Sequence, residues 1–454
     1  MNVDQGARDA ATTRQRATYA LTLLALTSFM SYLDRMVLPT VSQPIKLEFG
    51  LSDTQIGLLN GLAFIVLYAF SGVPLSRLAD RTSRTLVLAI SLAFWSVATA
   101  ACGLARSFGQ LVLARACVGI GESACQPVGY AIVGEHFPPD RRTTAIAWFL
   151  VGNSLGITAG FMIGGWLGSM YGWRAAFVAV CIPGLLLSIA LARLPRRAAP
   201  VRTGAIASLG LLASIRTLWG RKSYRWLVVL NAVYTGTIFG PIAWLPAFFM
   251  RSHGLPIRFV GTWTGIAIGF GMGFGMLSGG FIADRLYRRG RHCPQWLGMI
   301  TVLLSALVFV VVLLSSNPTA ALAATFAATL LGAMGSPVNA TSIQNASPPE
   351  LRATGASLAT LAVSLIGIGL APYMIGALSD RLSASLGTDS LRFALLSSLG
   401  LCVISSLLYF YVAGVIRDED PLAEEQQDEM RPPAPATPVT ESSSQPAASA
   451  PLRG

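Results

Sequence analysis

Twelve long apolar stretches constrain the fold of this chain more than any other feature. Each is long enough to cross the hydrocarbon core of a bilayer as a helix, which takes about 20 residues. The chain of 454 residues is 53% hydrophobic and only 12% charged, so it has too little polar surface for a soluble protein of this size. The sequence therefore predicts an all-α polytopic membrane protein. The predicted spans, numbered in chain order, cover about residues 18–40, 56–76, 85–104, 109–134, 143–169, 174–193, 224–249, 259–283, 295–315, 319–343, 353–378 and 391–414.

Two pairs of similar loop segments divide the chain into related halves. Residues 76–84 after span 2 resemble residues 280–289 after span 8, and residues 137–144 before span 5 resemble residues 347–354 before span 11. The paired spacing indicates a six-plus-six duplication, which places a substrate site near the membrane midplane between the halves. The predicted parts are a cytoplasmic N-terminal segment (1–17), two six-helix bundles (18–193 and 224–414), a cytoplasmic linker (194–223) and a disordered cytoplasmic tail (415–454).

The distribution of basic residues predicts the orientation. Most of the 33 lysines and arginines lie in the termini and in the loops after the even-numbered spans. By the positive-inside rule, this side is cytoplasmic, so both termini are predicted in the cytoplasm of a multi-pass protein of the cell (inner) membrane. The net charge of +12 therefore marks membrane orientation, and no nucleic-acid partner is expected.

Four ionisable residues interrupt the apolar spans of the N-terminal half. Span 4 carries Arg115 and Glu122, which are seven residues apart and so share one helix face. Span 1 carries Asp34 and Arg35, which project about 100° apart, so at most one of them points directly into a shared cavity. Charged side chains within a membrane span usually serve a pathway or a ligand. The alternative is a buried ion network that only joins helices.

The C-terminal half has no ionisable residue deep within a span. Its candidate polar side chains are Asn231, Tyr234 and Asn339, although polar groups in spans often only join helices. If these residues line the cavity, one wall is charged and the other is apolar with amides. Such a cavity suits an amphipathic organic anion better than a sugar.

Short motifs resemble one transporter family. Residues 78–84 read Leu-Ala-Asp-Arg-Thr-Ser-Arg, residues 32–35 read Tyr-Leu-Asp-Arg, and residues 119–123 read Gly-Ile-Gly-Glu-Ser. The chain resembles the major facilitator superfamily from about residue 18 to 414, and within it the spinster-like branch. The anion:cation symporter branch is the second resemblance, because it shares Asp-Arg in span 1 and Gly-x-Gly-Glu in span 4. Its usual Glu-Trp-Phe-Pro is here Glu-His-Phe-Pro at residues 135–138.

This resemblance implies two pseudo-symmetric six-helix bundles around a cavity that Arg35, Arg115 and Glu122 face. It implies a secondary active transporter that moves an amphipathic organic anion or lipid-like solute by alternating access. Burial raises the proton affinity of a carboxylate and a nearby arginine lowers it, so Glu122 is the first candidate proton carrier and Asp34 the second. The alternatives are a passive lipid- or ligand-binding receptor, or transport of a small carboxylate. Protons are the expected coupling ion, and the protein is expected to be a monomer.

The loop motifs are the predicted cytoplasmic gate. The resemblance places Asp80 against the start of span 11, near residues 353–357, and Asp284 against span 5. Such contacts exist only while the cytoplasmic ends of the halves touch, so they favour the outward-open state. No enzyme motif, cofactor site or metal-ligand spacing is present in the sequence. The predicted gate residues are Asp80, Arg81, Arg84, Asp284, Arg285 and Arg288.

Overall fold

The structure, a computed structural model, describes residues 3–137, 139–194, 211–348 and 351–419, and within these ranges the regular elements are all helical. This confirms the all-α fold class. Ten described stretches are long and apolar enough to cross a membrane. They are Ala17–Phe49, Asp53–Arg81, Arg84–Leu104, Thr144–Tyr171, Trp173–Ala192, Lys222–His253, Ile257–Tyr287, Cys293–Leu314, Pro318–Ala346 and Thr354–Asp418.

All twelve predicted spans lie on helix, and two places account for the difference from ten. Span 4, which carries Arg115 and Glu122 and is divided at Ser123 and Ala124, is not among the ten. The 65-residue stretch Thr354–Asp418 contains both span 11 and span 12, joined by a short turn at Gly387–Asp389. The helices are Val3–Phe49, Asp53–Asn60, Leu62–Arg81, Arg84–Leu104, Phe108–Glu122, Cys125–His136, Pro139–Tyr171, Trp173–Ala192, Leu211–Gly220, Lys222–Ile242, Leu245–His253, Ile257–Tyr287, Cys293–Leu314, Pro318–Ala333, Gly335–Ala346, Arg352–Ala362, the π-helix Val363–Leu370, Ala371–Leu386, Ser390–Ser398 and Gly400–Asp418.

Polar caps define where several spans begin. Ser52 accepts a hydrogen bond from the backbone N–H of Gln55, whose side chain bonds back to Ser52, so a complete capping box starts span 2. Ser83 and Ser107 cap spans 3 and 4 in the same way with their hydroxyls. Helix 1 is longer than predicted and runs from Val3 to Phe49, because hydropathy locates the apolar part of a helix and not its ends.

The bundle has two ends, which we name by the course of the chain. The terminal side is where span 1 begins and span 12 ends, and the far side is where span 1 ends at Phe49. Within the predicted linker 194–223, the described part contains the helix Leu211–Gly220. The predicted disordered tail lies outside the described residues from position 420 onward.

The two halves touch through glycines that bring backbones together. A Cβ atom at Gly61 of span 2 would lie 2.1 Å from the carbonyl oxygen of Gly369 in span 11, and one at Gly57 would lie 2.6 Å from that of Pro372. In spans 5 and 8, a Cβ at Gly165 would lie 2.9 Å from Cα of Gly261. Only residues without side chains permit such close helix approach. We call Gly57, Gly61, Gly165, Gly261 and Gly369 the glycine contacts.

Candidate functional site

A buried ion pair joins spans 1 and 4. Nε of Arg35 donates to Oε1 of Glu122 at 2.5 Å, and the hydroxyl of Ser31 donates to the same oxygen. The Glu122 side chain is completely buried, whereas that of Arg35 is 12% exposed. A buried carboxylate needs such partners, because an unpaired charge in a low-dielectric interior is costly. Arg35 is thus the accessible member of the pair and Glu122 the inaccessible one.

Local sequence explains how the pair forms. Ser31 and Arg35 are four residues apart and so project from one face of span 1. Glu122 is the last residue of its helix, immediately before the turn that divides span 4. Gly121 packs directly against Trp95, and a Cβ at Gly119 would lie 2.2 Å from the carbonyl oxygen of Phe64, so both glycines let span 4 approach its neighbours.

Asp34 and Arg115 lie deeper than Arg35. Asp34 is 1% exposed, and its Oδ2 accepts a hydrogen bond of 3.3 Å from the hydroxyl of Thr99 in span 3. Arg115 is 2% exposed, with Cζ 5.2 Å from the centre of the Phe64 ring. Sequence spacing put Arg115 and Glu122 on a common face, but the ion pair of Glu122 is with Arg35 on span 1. Asp34 and Arg35 are neighbours in span 1, but their side chains therefore lie in different surroundings.

Aromatic rings surround the Arg35 guanidinium, which the sequence motifs did not predict. Its Cζ lies 5.1 Å from the ring centre of Tyr32 and 4.9 Å from those of Phe64 and Tyr68. These distances are within the range of favourable cation–π contact. The available signal was the spacing of Phe64 and Tyr68, which are four residues apart and so lie on one face of span 2.

A central cavity lies between the two halves next to this pair. Arg35, Arg115 and Asn60 line it from the N-terminal half, and the amide of Asn60 has no hydrogen-bond partner among the described residues. The opposite wall is apolar, so the cavity has one charged and one apolar side. Its lining in the C-terminal half includes Phe239, Ile242, Ala243, Ile368 and Pro372.

The three polar candidates of the C-terminal half lie elsewhere. Tyr234 is 2% exposed, and its hydroxyl donates to the carbonyl oxygen of Gly332 at 2.6 Å. Asn339 is 1% exposed inside the same bundle, and Asn231 is half-buried on span 7. None of the three is among the residues that line the central cavity. Their role in substrate binding stays a prediction.

The sequence profile of the Major Facilitator Superfamily matches residues 24–372. The chain belongs to the major facilitator superfamily. It is 33% identical over 389 residues to an MFS-type efflux pump of Mycolicibacterium smegmatis, covering 84% of this chain and 89% of the relative. It is 28% identical to Protein spinster homolog 3 of Danio rerio, covering 94% and 91%.

A solved structure agrees with these relatives. A bacterial homolog of the human lysosomal transporter Spinster, in an inward-facing and unoccupied conformation, superposes with a TM-score of 0.80 at 26% identity, covering 89% of this chain and 99% of that one. The predicted spinster-like resemblance is confirmed. This superfamily member is therefore a multi-pass membrane transporter of small molecules and not an enzyme.

On the terminal side of this superfamily transporter, the predicted gate residues of span 2 pair within their own half. Nη2 of Arg84 lies 2.7 Å from Oδ1 of Asp80, and Nη1 lies 2.6 Å from Oε1 of Glu135. The Asp80 side chain is 43% exposed, and Arg84 is its ion-pair partner among the described residues. In the repeated motif, the Arg285 guanidinium lies 4.0 Å from the centre of the Phe281 ring. The predicted contact of Asp80 with span 11 stays a prediction for another conformation.

On the far side, a polar network that no sequence motif predicted connects the halves. Arg251 of span 7 donates to both carboxylate oxygens of Asp53 at the start of span 2, at 2.9 and 2.7 Å. Lys46 and Ser379 also contact Asp53, at 2.5 and 2.7 Å. Asp380 of span 11 accepts hydrogen bonds from the backbone N–H groups of Asp53 and Thr54. We call Lys46, Asp53, Arg251, Ser379 and Asp380 the far-side latch.

Proposed function

We propose that this protein is a proton-coupled secondary transporter of an amphipathic organic anion or lipid-like solute. The observation that carries the proposal is the Arg35–Glu122 pair beside a cavity between two halves. An arginine that lines the cavity is a receptor for an anionic group, because its planar guanidinium matches carboxylate and phosphate. Glu122 neutralises Arg35 while the cavity holds no anion.

Competition between Glu122 and the substrate for Arg35 couples substrate binding to proton binding. When an anionic head group takes the guanidinium, Glu122 loses its cationic partner and remains buried with Ser31. A buried carboxylate without a cation is costly, so its protonated, neutral form becomes favourable. Substrate binding therefore favours proton uptake at Glu122. Asp34, which bonds to Thr99 away from this pair, is the second candidate.

The opposite wall of the cavity selects an apolar body. Phe239, Ile242 and Ile368 offer no charge or hydrogen bond to a polar solute, whereas they favour burial of apolar surface. A solute with an anionic head and an apolar body fits both walls at once. A small carboxylate, the alternative substrate class, would bind to the arginines and leave the apolar wall without a contact.

The closed far side supports alternating access. The glycine contacts join the halves from the far side, and the far-side latch lies beyond them. The basic-residue bias predicts that the terminal side is cytoplasmic, and with that orientation in the inner membrane this conformation corresponds to an inward-facing state. The similarity to an inward-facing spinster homolog supports the same assignment.

The test is counterflow and gradient-driven uptake in proteoliposomes. A long-chain alkyl phosphate or another amphipathic anion should exchange with a trapped unlabelled pool, and an imposed proton gradient should accelerate its uptake. Counterflow of only a small hydroxycarboxylate would favour the alternative substrate class. Saturable binding without counterflow of any anion would favour a passive receptor.

A further inference from the structure

A second polar pocket lies on the terminal side of the C-terminal half, away from the central cavity. The start of span 7, the end of span 8 with the loop after it, and the ends of spans 10 and 12 form its walls. Two arginines from different walls line it. The basic and uncharged polar residues of the lining are Arg221, Ser223, Tyr287, Arg291, Ser342 and Asn345.

Hydrogen bonds between the walls hold this pocket together. The amide of Asn345 donates to the hydroxyl of Tyr287 at 3.0 Å, which joins spans 8 and 10. Nε2 of Gln295 donates to the Ser342 hydroxyl at 2.6 Å, which joins spans 9 and 10. Nη1 of Arg221 donates to the carbonyl oxygen of Ala346 at 3.3 Å, which joins spans 7 and 10. The pocket is therefore part of the packed helix ends and not a gap beside a loop.

The surface around the pocket is strongly basic. Further exposed cations flank Arg221 and Arg291 in the chain, namely Lys222, Arg225, Arg288 and Arg289. The acidic residue in the lining is Glu419, whose Oε1 accepts a hydrogen bond of 3.2 Å from the backbone N–H of Ser223. That carboxylate already compensates the positive end of the span 7 helix. The excess of basic over acidic side chains around the pocket favours an anion with several charges.

An anion of this kind follows Glu419 directly in the sequence. Residues 420–429 read Asp-Pro-Leu-Ala-Glu-Glu-Gln-Gln-Asp-Glu and so contain five carboxylates and no base. The bond from Ser223 to Glu419 holds the beginning of this segment two residues from Arg221. Ten residues can extend up to about 35 Å, so the segment can reach every wall of the pocket.

We propose that the acidic segment 420–429 binds this basic pocket, with carboxylates on Arg221 and Arg291. Arginine and carboxylate form charge-assisted, often bidentate hydrogen bonds. The covalent tether gives the segment an effective concentration on the order of millimolar, so weak individual pairs suffice. The bound segment connects the ends of spans 7, 8, 10 and 12 within one half. It leaves the N-terminal half free to move.

The test measures a distance in the full-length protein. Spin labels at Met430→Cys and Thr341→Cys, with the six native cysteines replaced by serine, report whether the segment lies on the C-terminal half. We expect a short, narrow distance population in low salt that decreases at least about twofold in 0.5 M salt, where the Debye length is only a few ångströms. The combination E424Q, E425Q, D428N and E429Q should remove it, and so should R221Q with R291Q.

Matched variants distinguish binding in this pocket from a general effect of charge and from occupation of the pocket by lipid. R216Q with R352Q removes the same charge from exposed arginines outside the pocket and should leave the distances unchanged. The charge swap E424R, E425R, D428R and E429R with R221E and R291E should restore part of the short population, because Lys222, Arg225, Arg288 and Arg289 remain. A distance distribution that R221Q with R291Q does not change would overturn the proposal. Loss of the short population in phosphatidylglycerol nanodiscs but not in phosphatidylcholine nanodiscs would also overturn it, because an anionic lipid headgroup would then outcompete the segment for the pocket.

Discussion

Nε of Arg35 and Oε1 of Glu122 lie 2.5 Å apart and connect span 1 to span 4 at the wall of the central cavity. Arg35 is partly exposed to the cavity, while Glu122 is completely buried. A solute in the cavity can therefore contact Arg35 directly. It can affect Glu122 only by changing the contact between Glu122 and Arg35. This order of access gives the first two predictions.

Glu122→Gln should uncouple transport from the proton gradient. Glutamine keeps the size of the side chain and can still bond to Ser31, but it neither titrates nor neutralises Arg35. We expect gradient-driven uptake to fall about tenfold or more, the factor that a loss of about 1.4 kcal/mol produces, while exchange between equal solute pools continues. Glu48→Gln, which removes a carboxylate on the far side, is the control. Unchanged gradient-driven uptake would remove Glu122 from this role.

Arg35→Lys should weaken substrate binding although it keeps the charge. Lysine lacks the planar fork and the face that stacks on Tyr32, Phe64 and Tyr68. A charge-assisted hydrogen bond contributes about 1.5–3 kcal/mol, so we expect affinity to decrease roughly 10- to 100-fold. Equilibrium binding of a labelled anion measures this, with the exposed Arg106→Lys as control. Wild-type affinity in Arg35→Lys would mean that the site recognises the anion by the positive charge alone.

Asp53→Asn should open the far side. Removing one member of a buried ion pair costs about 3–5 kcal/mol, and Asp53 is 3% exposed with Arg251 on both oxygens. Spin labels at Leu47 and Ala384, both exposed on the far side, should report a longer distance. The charge swap D53R with R251D should partly restore the short distance. An unchanged distribution in Asp53→Asn would show that the latch does not hold this side closed.

Gly61→Ala should also disfavour the closed far side, for a steric reason. The added Cβ would lie 2.1 Å from the carbonyl oxygen of Gly369, and neither backbone can yield without separating spans 2 and 11. Gly109→Ala is the matched control, because a Cβ there has nothing within 4 Å. We expect the Leu47–Ala384 distance to lengthen in the first variant only. Equal distances in both variants would contradict the close packing of these helices.

Asp80→Asn should shift the population toward the state that is open on the terminal side and slow turnover. In the present conformation Asp80 contacts Arg84 of its own half, so this state loses only an exposed pair, which contributes about 0–1 kcal/mol. The predicted contact with the start of span 11 in the opposite state would lose a full charge at a helix N-terminus. Spin labels at the terminal-side ends of spans 4 and 10 measure the shift. Equal distance distributions in Asp80→Asn and wild type would exclude the gate role.

The sequence predicted the membrane fold and the charged residues, because both depend on local patterns. Apolar length locates a span wherever it lies in the chain, and Asp34, Arg35, Arg115 and Glu122 are conspicuous because lipid excludes charge. The choice of partners was less predictable. Periodicity put Arg115 and Glu122 on one face, but the neighbour of Glu122 is set by how span 1 packs on span 4.

The far-side latch was not predictable in this way. Asp53 and Arg251 are separated by almost 200 residues and lie next to loops, where a charged residue is ordinary. Only the packing of the two halves brings them together. The apolar wall of the cavity has the same origin, since Phe239 and Ile368 look like any other residues of an apolar span.

The glycine contacts have a consequence for the entropy of the transport cycle. Glycine has no side-chain rotamers to lose when it is buried, whereas an ordered leucine loses about 0.5–1 kcal/mol of rotamer freedom. Closing spans 2 and 11 over Gly57 and Gly61 therefore immobilises few side chains at these positions. The same holds for Gly165 and Gly261. Little side-chain entropy therefore opposes closure at these contacts, and the ion pairs of the far-side latch beyond them should make the occupancy of the closed and open states sensitive to salt.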